Sequence, residues 1–267
     1  MFTTTHALNL DGVGPVEVRV DDHGEGQPFL LLHGGAGPNS TGAFSELLAT
    51  SKPARVLHPT HPGFGGTPRP GLLHTIRGLA ALYVGLVEML GLDQVTVVGN
   101  STGGWIAAEM ALIGSARMSG AVLIDAVGIQ APGHPVADFF SLSMDQMFAL
   151  SFHDPDRFRF DPSTLPPAAQ AIAAGNRSAL ASYAGTAMSD PTLRERLSCL
   201  DMAVLVLWGD SDRIADAEYG RAYAEAIPMA RFQLLRNTGH QPQMETPDQV
   251  LKAVWDYAET DRPGVTG

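Results

Sequence analysis

The sequence predicts an α/β fold: a mostly parallel central sheet with helices on both faces and a helical insertion over one end. Three observations predict it. Short apolar runs recur along the chain with helical patterns between them. The later runs are nearly continuous in hydrophobicity, as strands covered on both faces must be. The rhythm then breaks once, between 128 and 200, where no convincing strand is found.

The predicted strands are 15–20 (PVEVRV), 28–33 (PFLLLH), 54–58 (ARVLH), 94–99 (QVTVVG), 120–125 (GAVLID), 203–208 (AVLVLW) and 231–235 (RFQLL). The first alternates apolar and polar residues, which suits a half-exposed antiparallel strand. Leu79, Leu82, Tyr83, Leu86 and Leu90 follow helical spacing, with Thr75 as N-cap and Gly91 just past the C-terminus. A second helix is expected after Gly104, through WIAAEMALI. A third should follow Thr246, where Pro247 at the first helical position and Gln249 give capping-box spacing. The division expected is a core of 1–127 and 201–267, with 128–200 as a helical cap or lid.

Composition excludes some functions. The 267 residues carry a formal charge of -11 and no Lys/Arg cluster, against the basic face a nucleic-acid binder needs. Cys199 is the single cysteine, so no internal disulfide forms; a buried, small apolar role is expected for it. The first residues lack the charged and apolar regions of a secretion signal, and the longest apolar stretch contains Glu88 and is too short for a membrane span. A cytoplasmic protein is expected, acting on a small molecule and paired, at most, with a second copy of itself.

Gly99-Asn100-Ser101-Thr102-Gly103 stands between a predicted buried strand and a predicted helix. That context suits a sharp turn that lifts a serine hydroxyl above the sheet edge, with flanking glycines removing side chains that would collide. A helix N-terminus behind the serine offers N–H groups to a developing anion. A serine needs a base, and the base needs an orienting group. Asp210 and Asp212 lie just beyond one later strand, and His240 lies after the next. Both loops fall where open α/β sheets bind ligands.

With LLLHGGAG (30–37), HPGFGGTP (61–68), VVGNSTGGW (97–105), VLWGDSDRI (206–214) and NTGHQPQME (237–245), the chain resembles the α/β-hydrolase superfamily. The resemblance implies the α/β-hydrolase fold and a Ser101–Asp212–His240 triad. It ranks Asp210 second and Asp125 third as the acid. It places an oxyanion hole on the backbone N–H groups of Gly35 and Thr102, and it makes His33 a brace rather than a catalytic group. Thr60 stands where the family often has an aspartate. His58 and His61 are three apart, but no matching ligand set accompanies them, so no metal and no cofactor is expected.

Substrate contacts are expected from Ala36, Trp105, Phe139, Met144 and Phe148. The expected reaction is ester-like hydrolysis through an acyl-enzyme. GNSTGGW and IDAVGI also look similar to carbon–carbon bond hydrolases of aromatic ring-fission products, which usually carry tryptophan where Gln241 stands. Relatives that open epoxides or cleave carbon–halogen bonds use an aspartate nucleophile, which Ser101 argues against. Relatives that became ligand receptors keep the triad yet barely turn over, and form a third reading.

Overall fold

A computed structural model describes residues 2–260. Eight strands form one sheet: β1 (Phe2–Leu10), β2 (Gly14–Gly24), β3 (Gln27–Leu32), β4 (Ala54–Thr60), β5 (Val95–Asn100), β6 (Met118–Ile124), β7 (Val204–Gly209) and β8 (Ala230–Leu235). Their order is β1-β2-β4-β3-β5-β6-β7-β8. β2 pairs antiparallel with β1 and β4, and every other pair is parallel. All seven predicted strands are present within a few residues of their expected bounds. β1 escaped prediction because it is an edge strand: among its nine residues only Leu8 is buried.

Strand periodicity sorts the core into two layers. Leu30, Leu32, Val97, Leu123 and Val206 point to one face. They meet α2 (Ile76–Met89), α3 (Thr102–Ile113) and α8 (Ala217–Glu225). Phe29, Leu31, Val98, Val122 and Leu207 point to the other, against α1 (Asn39–Ser51) and α10 (Pro247–Thr260). Between β6 and β7 lie α4 (Met144–Ser151), α5 (Pro155–Phe158), α6 (Pro167–Ala184) and α7 (Leu193–Leu197). The short α9 (Pro242–Glu245) precedes α10.

Helix ends follow local chemistry, with two departures from expectation. Thr75 caps α2 by accepting from Gly78 N–H at 3.0 Å, and Gly91 takes φ 63° just beyond the helix. α3 starts at Thr102, not after Gly104: glycines 103 and 104 are helical because the first turn must run where no side chain fits. The expected box at the start of α10 is replaced by ties to the end of β8. Thr246 Oγ1 bonds Thr238 Oγ1 at 2.9 Å, and the Gln249 side chain engages both the N–H and the carbonyl of Arg236. Cys199 is exposed, contrary to its expected burial. Leu197 and Leu200, three apart, take the inward positions of that turn.

β3 lies between β4 and β5, so the chain leaves it to one side and returns on the other. Such a reversal opens a crevice above the carboxyl ends of β3 and β5. The β6–β7 connection is fastened beside it. Asp190 N–H donates to Gly128 O at 2.7 Å. Arg196 on α7 makes two bonds, 2.6 and 2.7 Å, to Glu109 on α3, whose side chain is buried. Arg196→Met strands that carboxylate, with only Arg77 left at 3.6 Å. The expected loss is about 3 kcal/mol in urea unfolding, much of it recovered in Glu109→Leu/Arg196→Met, because a buried pair destabilises most when half removed.

Candidate active site

Steric exclusion builds the serine turn. A Cβ on Gly99 would drive into Gly103 O, and one on Gly103 into Leu32 O. One on Gly104 would come 2.6 Å from the Ala126 Cβ. The turn closes with Ser101 at φ 55°, ψ -118°, a conformation that L residues rarely adopt. Ser101 N–H donates to Ile124 O at 2.9 Å, and Ser101 O accepts from Trp105 and Val127 N–H. These bonds hold the strained residue in place. Ser101 lies at the N-terminal end of α3, whose first N–H groups have no partner within the helix.

His240 reaches this turn from β8, at the far edge of the sheet. It does so because the loop after β8 crosses directly over the end of β7. A Cβ on Gly209 would collide with Thr238 O and Gly239 O, and Ser211 N–H donates to Thr238 O at 2.8 Å. His240 Nε2 lies 2.9 Å from Ser101 Oγ, and its Nδ1 lies 2.7 Å from Asp212 Oδ2. Asp212 Oδ1 accepts from Ile214 N–H at 2.8 Å and Ala215 N–H at 3.2 Å. The three groups are buried. Because Asp212 can only accept when ionised, Nδ1 carries the imidazole hydrogen and Nε2 is left to accept from the serine. Asp210 does not touch His240; it accepts from Ser211 Oγ and Thr238 N–H and braces the crossing loop. Asp125, Asp212 and His240 each offer a ligand atom within 4.8 Å of the others, but the Nδ1 of His240 is already given to Asp212.

Three positioning groups were not singled out from sequence. Asn100, inside the glycine–serine motif, donates from Nδ2 to His240 O at 3.1 Å. Glu245, inside the NTGHQPQME landmark, accepts from Gly239, His153 and Asp154 N–H. It thereby ties the histidine loop to the α4–α5 junction, where His240 N–H also donates to Ser151 O. Asn176 on α6 accepts from Gly65 N–H and donates to Ala36 O. Asn100 and Glu245 both stand inside motifs, but His240 for Asn100, and His153 and Asp154 for Glu245, lie 91 or more residues away along the chain, so spacing gave no signal.

The loop after β3 sits beside the serine. A Cβ on Gly34 would come 3.0 Å from the Ser101 Cβ, and one on Gly35 would come 2.6 Å from Leu180 Cδ2. Thus α6 lies directly against Gly35. Ala36 is exposed on the same loop. Trp105 is buried in the core, its ring against Gly128, and its Nε1 meets no partner among the described residues. The side chains between β6 and β7 divide. Phe139 packs edge-on against Phe140 under Arg177, and Phe148 is buried against Phe152 and Phe160. Met144 lines a groove with Asp145, Arg159 and Phe160.

His33 braces the loop as expected. Its Nδ1 donates to Gly34 O at 2.8 Å and its Nε2 accepts from His61 N–H at 3.1 Å. His61 stacks on it at 3.7 Å between ring centres, donates from Nε2 to His33 O and accepts from the Tyr83 hydroxyl at Nδ1. His58 Nε2 pairs with Thr41 Oγ1 at 2.8 Å. Thr60 Oγ1 is buried with no partner among the described residues, so the departure at that position leaves a polar atom unbonded. Burial holds all three imidazoles neutral. It lowers His58 to about 4 and His61 to about 3, and His33 falls well below its usual range. The unfolded chain titrates these rings near 6.5, so below that pH it binds more protons than the folded one. Their contribution to stability is complete above about pH 6.5 and declines as the pH falls toward 4. Urea midpoints should drop steadily over that window, and His58→Gln, which cannot protonate, should flatten the slope.

Comparison with known proteins agrees with this architecture. Residues 29–253 match the family model described as the alpha/beta hydrolase family. A 2-hydroxymuconate semialdehyde hydrolase of Pseudomonas putida is 29% identical over 261 residues, 90% of each chain. A 2-hydroxy-6-oxo-2,4-heptadienoate hydrolase of a Pseudomonas putida strain is 28% identical, over 91% of this chain and 93% of its own. Among solved structures, a thermophilic esterase from Thermogutta terrifontis superposes with a TM-score of 0.78 at 26% identity, covering 97% of this chain and all of its own. With its eight-stranded sheet and its serine turn at the end of β5, the chain belongs to the alpha/beta hydrolase family.

Proposed function

We propose that this protein is a serine hydrolase that cleaves a carboxylic ester-like bond of a small, apolar substrate through an acyl-enzyme. One observation carries the reading: the unbroken line from Ser101 Oγ through His240 to Asp212, at 2.9 and 2.7 Å. His240 takes the serine proton at Nε2 as Oγ attacks the carbonyl carbon. The oxygen becomes an anion held by the N–H groups of Gly35 and Thr102; a donor of this kind lowers the barrier by about 3 kcal/mol. His240 then gives its proton to the leaving alcohol, and a water that it activates releases the acid. Asp212 fixes the ring and offsets its positive charge.

Residues 128–200 act as the lid. The support is the contact of Leu180 with Gly35 and the grip of Asn176 on both flanking loops. Beside Gly34 and Gly35 lie Ser101, the uncharged Asn100 and Leu180, and the serine hydroxyl meets the imidazole. Arg69, Arg177 and Arg213 each bond a backbone carbonyl instead. An uncharged ester fits such a lining better than a carboxylate-bearing one.

A second reading is carbon–carbon bond cleavage of a ring-fission acid, favoured by the activities for which the Pseudomonas putida relatives are named. Against it, Gln241 stands where such enzymes usually have tryptophan, and its Oε1 is occupied by Gln243.

Ser101→Ala should lose labelling by a fluorophosphonate probe and about 10⁴-fold or more in ester turnover. Turnover of p-nitrophenyl acetate without turnover of a coloured dienoic acid supports the first reading, and the reverse supports the second. Labelling with neither turnover identifies a binding protein. Leu180→Ala should raise kcat/KM for p-nitrophenyl hexanoate relative to acetate about tenfold, the effect of freeing one or two methylenes of space.

A further inference from the structure

Behind His240 and Asp212 stands a second carboxyl group that the reaction above leaves unused. Asp125 follows β6 at φ 45°, its N–H on Leu207 O at 3.0 Å and its side chain fully buried. Its Oδ1 accepts from Gly209 N–H at 2.8 Å. Its Oδ2 is equally buried and meets no donor among the described residues. An Asp125 oxygen lies within 4.8 Å of both an Asp212 oxygen and a His240 nitrogen. The acidic groups whose charge it feels are Asp212 and, after it, Glu245.

Two carboxylates this close in a buried site do not both ionise. Hydrogen bonding decides which keeps the proton. Asp212 accepts from Ile214, Ala215 and His240, the pattern of an anion. Asp125 accepts one bond, from Gly209. An oxygen that finds no donor is anomalous for a carboxylate and ordinary for a carboxylic acid, which supplies its own hydrogen.

We propose that Asp125 is a neutral carboxylic acid in the resting protein, that its O–H donates to the Asp212 carboxylate, and that it is therefore a positioning residue for the Asp212–His240 pair. Burial first, and then the charge of Asp212, push the Asp125 carboxyl well above the usual range, in the same direction. The added donor fixes the aim of the Asp212 carboxylate at Nδ1. It also makes that carboxylate a weaker base, so the proton collected by His240 stays on the ring. The catalytic consequence rests on the proposed serine hydrolase reading; the protonation state does not.

Two measurements keep them apart. Infrared spectra near neutral pH should contain a buried carboxylic-acid C=O band, absent in Asp125→Asn and retained in Ser101→Ala. That band reports the proton even if no ester is turned over; its absence from the wild-type protein overturns the proposal. In turnover, Asp125→Asn keeps both an acceptor for Gly209 N–H and a donor for Asp212. It should hold kcat within about threefold and leave the acid limb of the pH–rate profile in place. A shift of that limb by about one pH unit means that a real charge was removed, and refutes a neutral Asp125. Asp125→Leu should lower kcat about 10- to 100-fold with KM little changed, the usual cost of losing a supporting partner. An unchanged kcat in a folded Asp125→Leu overturns the positioning role; if that variant does not fold, the band and Asp125→Asn still decide.

Discussion

The site depends on one steric constraint: the backbone of residues 99–104 passes so close to itself, to the end of β3 and to Ala126 that no side chain fits at three positions. Those contacts, with the Ile124 bond to Ser101 N–H, hold a serine in a conformation it would not otherwise keep. The turn sets the hydroxyl against His240 Nε2 while α3 begins directly behind it. Gly209 meets the same demand at the end of β7, where a bare backbone lets the histidine loop pass over.

Around that turn the chain makes a site that is held from several directions. Asn100 fixes the His240 carbonyl, Glu245 gathers three N–H groups from the histidine loop and the lid, and Asn176 ties α6 to the loops at 36 and 65. None of these groups touches the hydroxyl. They remove freedom from the groups that do. His33 and His61 brace the loop after β3 and His58 is tied to Thr41 on α1, and being neutral they add rigidity without adding charge.

Legibility from sequence followed how local the cause was. The serine turn and the strand before it could be read because glycine spacing and a run of β-branched residues are local signals. The Ser–Asp–His order could be read because each residue follows a strand end. β1 could not be read, because an edge strand shows one buried residue to the core. The start of α3 was misplaced because glycines normally argue against helix, and here a tertiary approach overrides propensity. The inward positions at 197 and 200 left Cys199 outside, which its residue type alone did not reveal. The roles of Asn100, Asn176 and Glu245 depend on which backbone groups come within reach after folding, and no spacing encodes that.

The seam at Gly128 and Asp190 has an architectural consequence. The two ends of the β6–β7 connection leave the core side by side, joined by a backbone bond and backed by the Arg196–Glu109 pair. The segment between them is therefore closed at its base, which lowers the loop-closure entropy that the packing of α4, α5 and α6 must overcome.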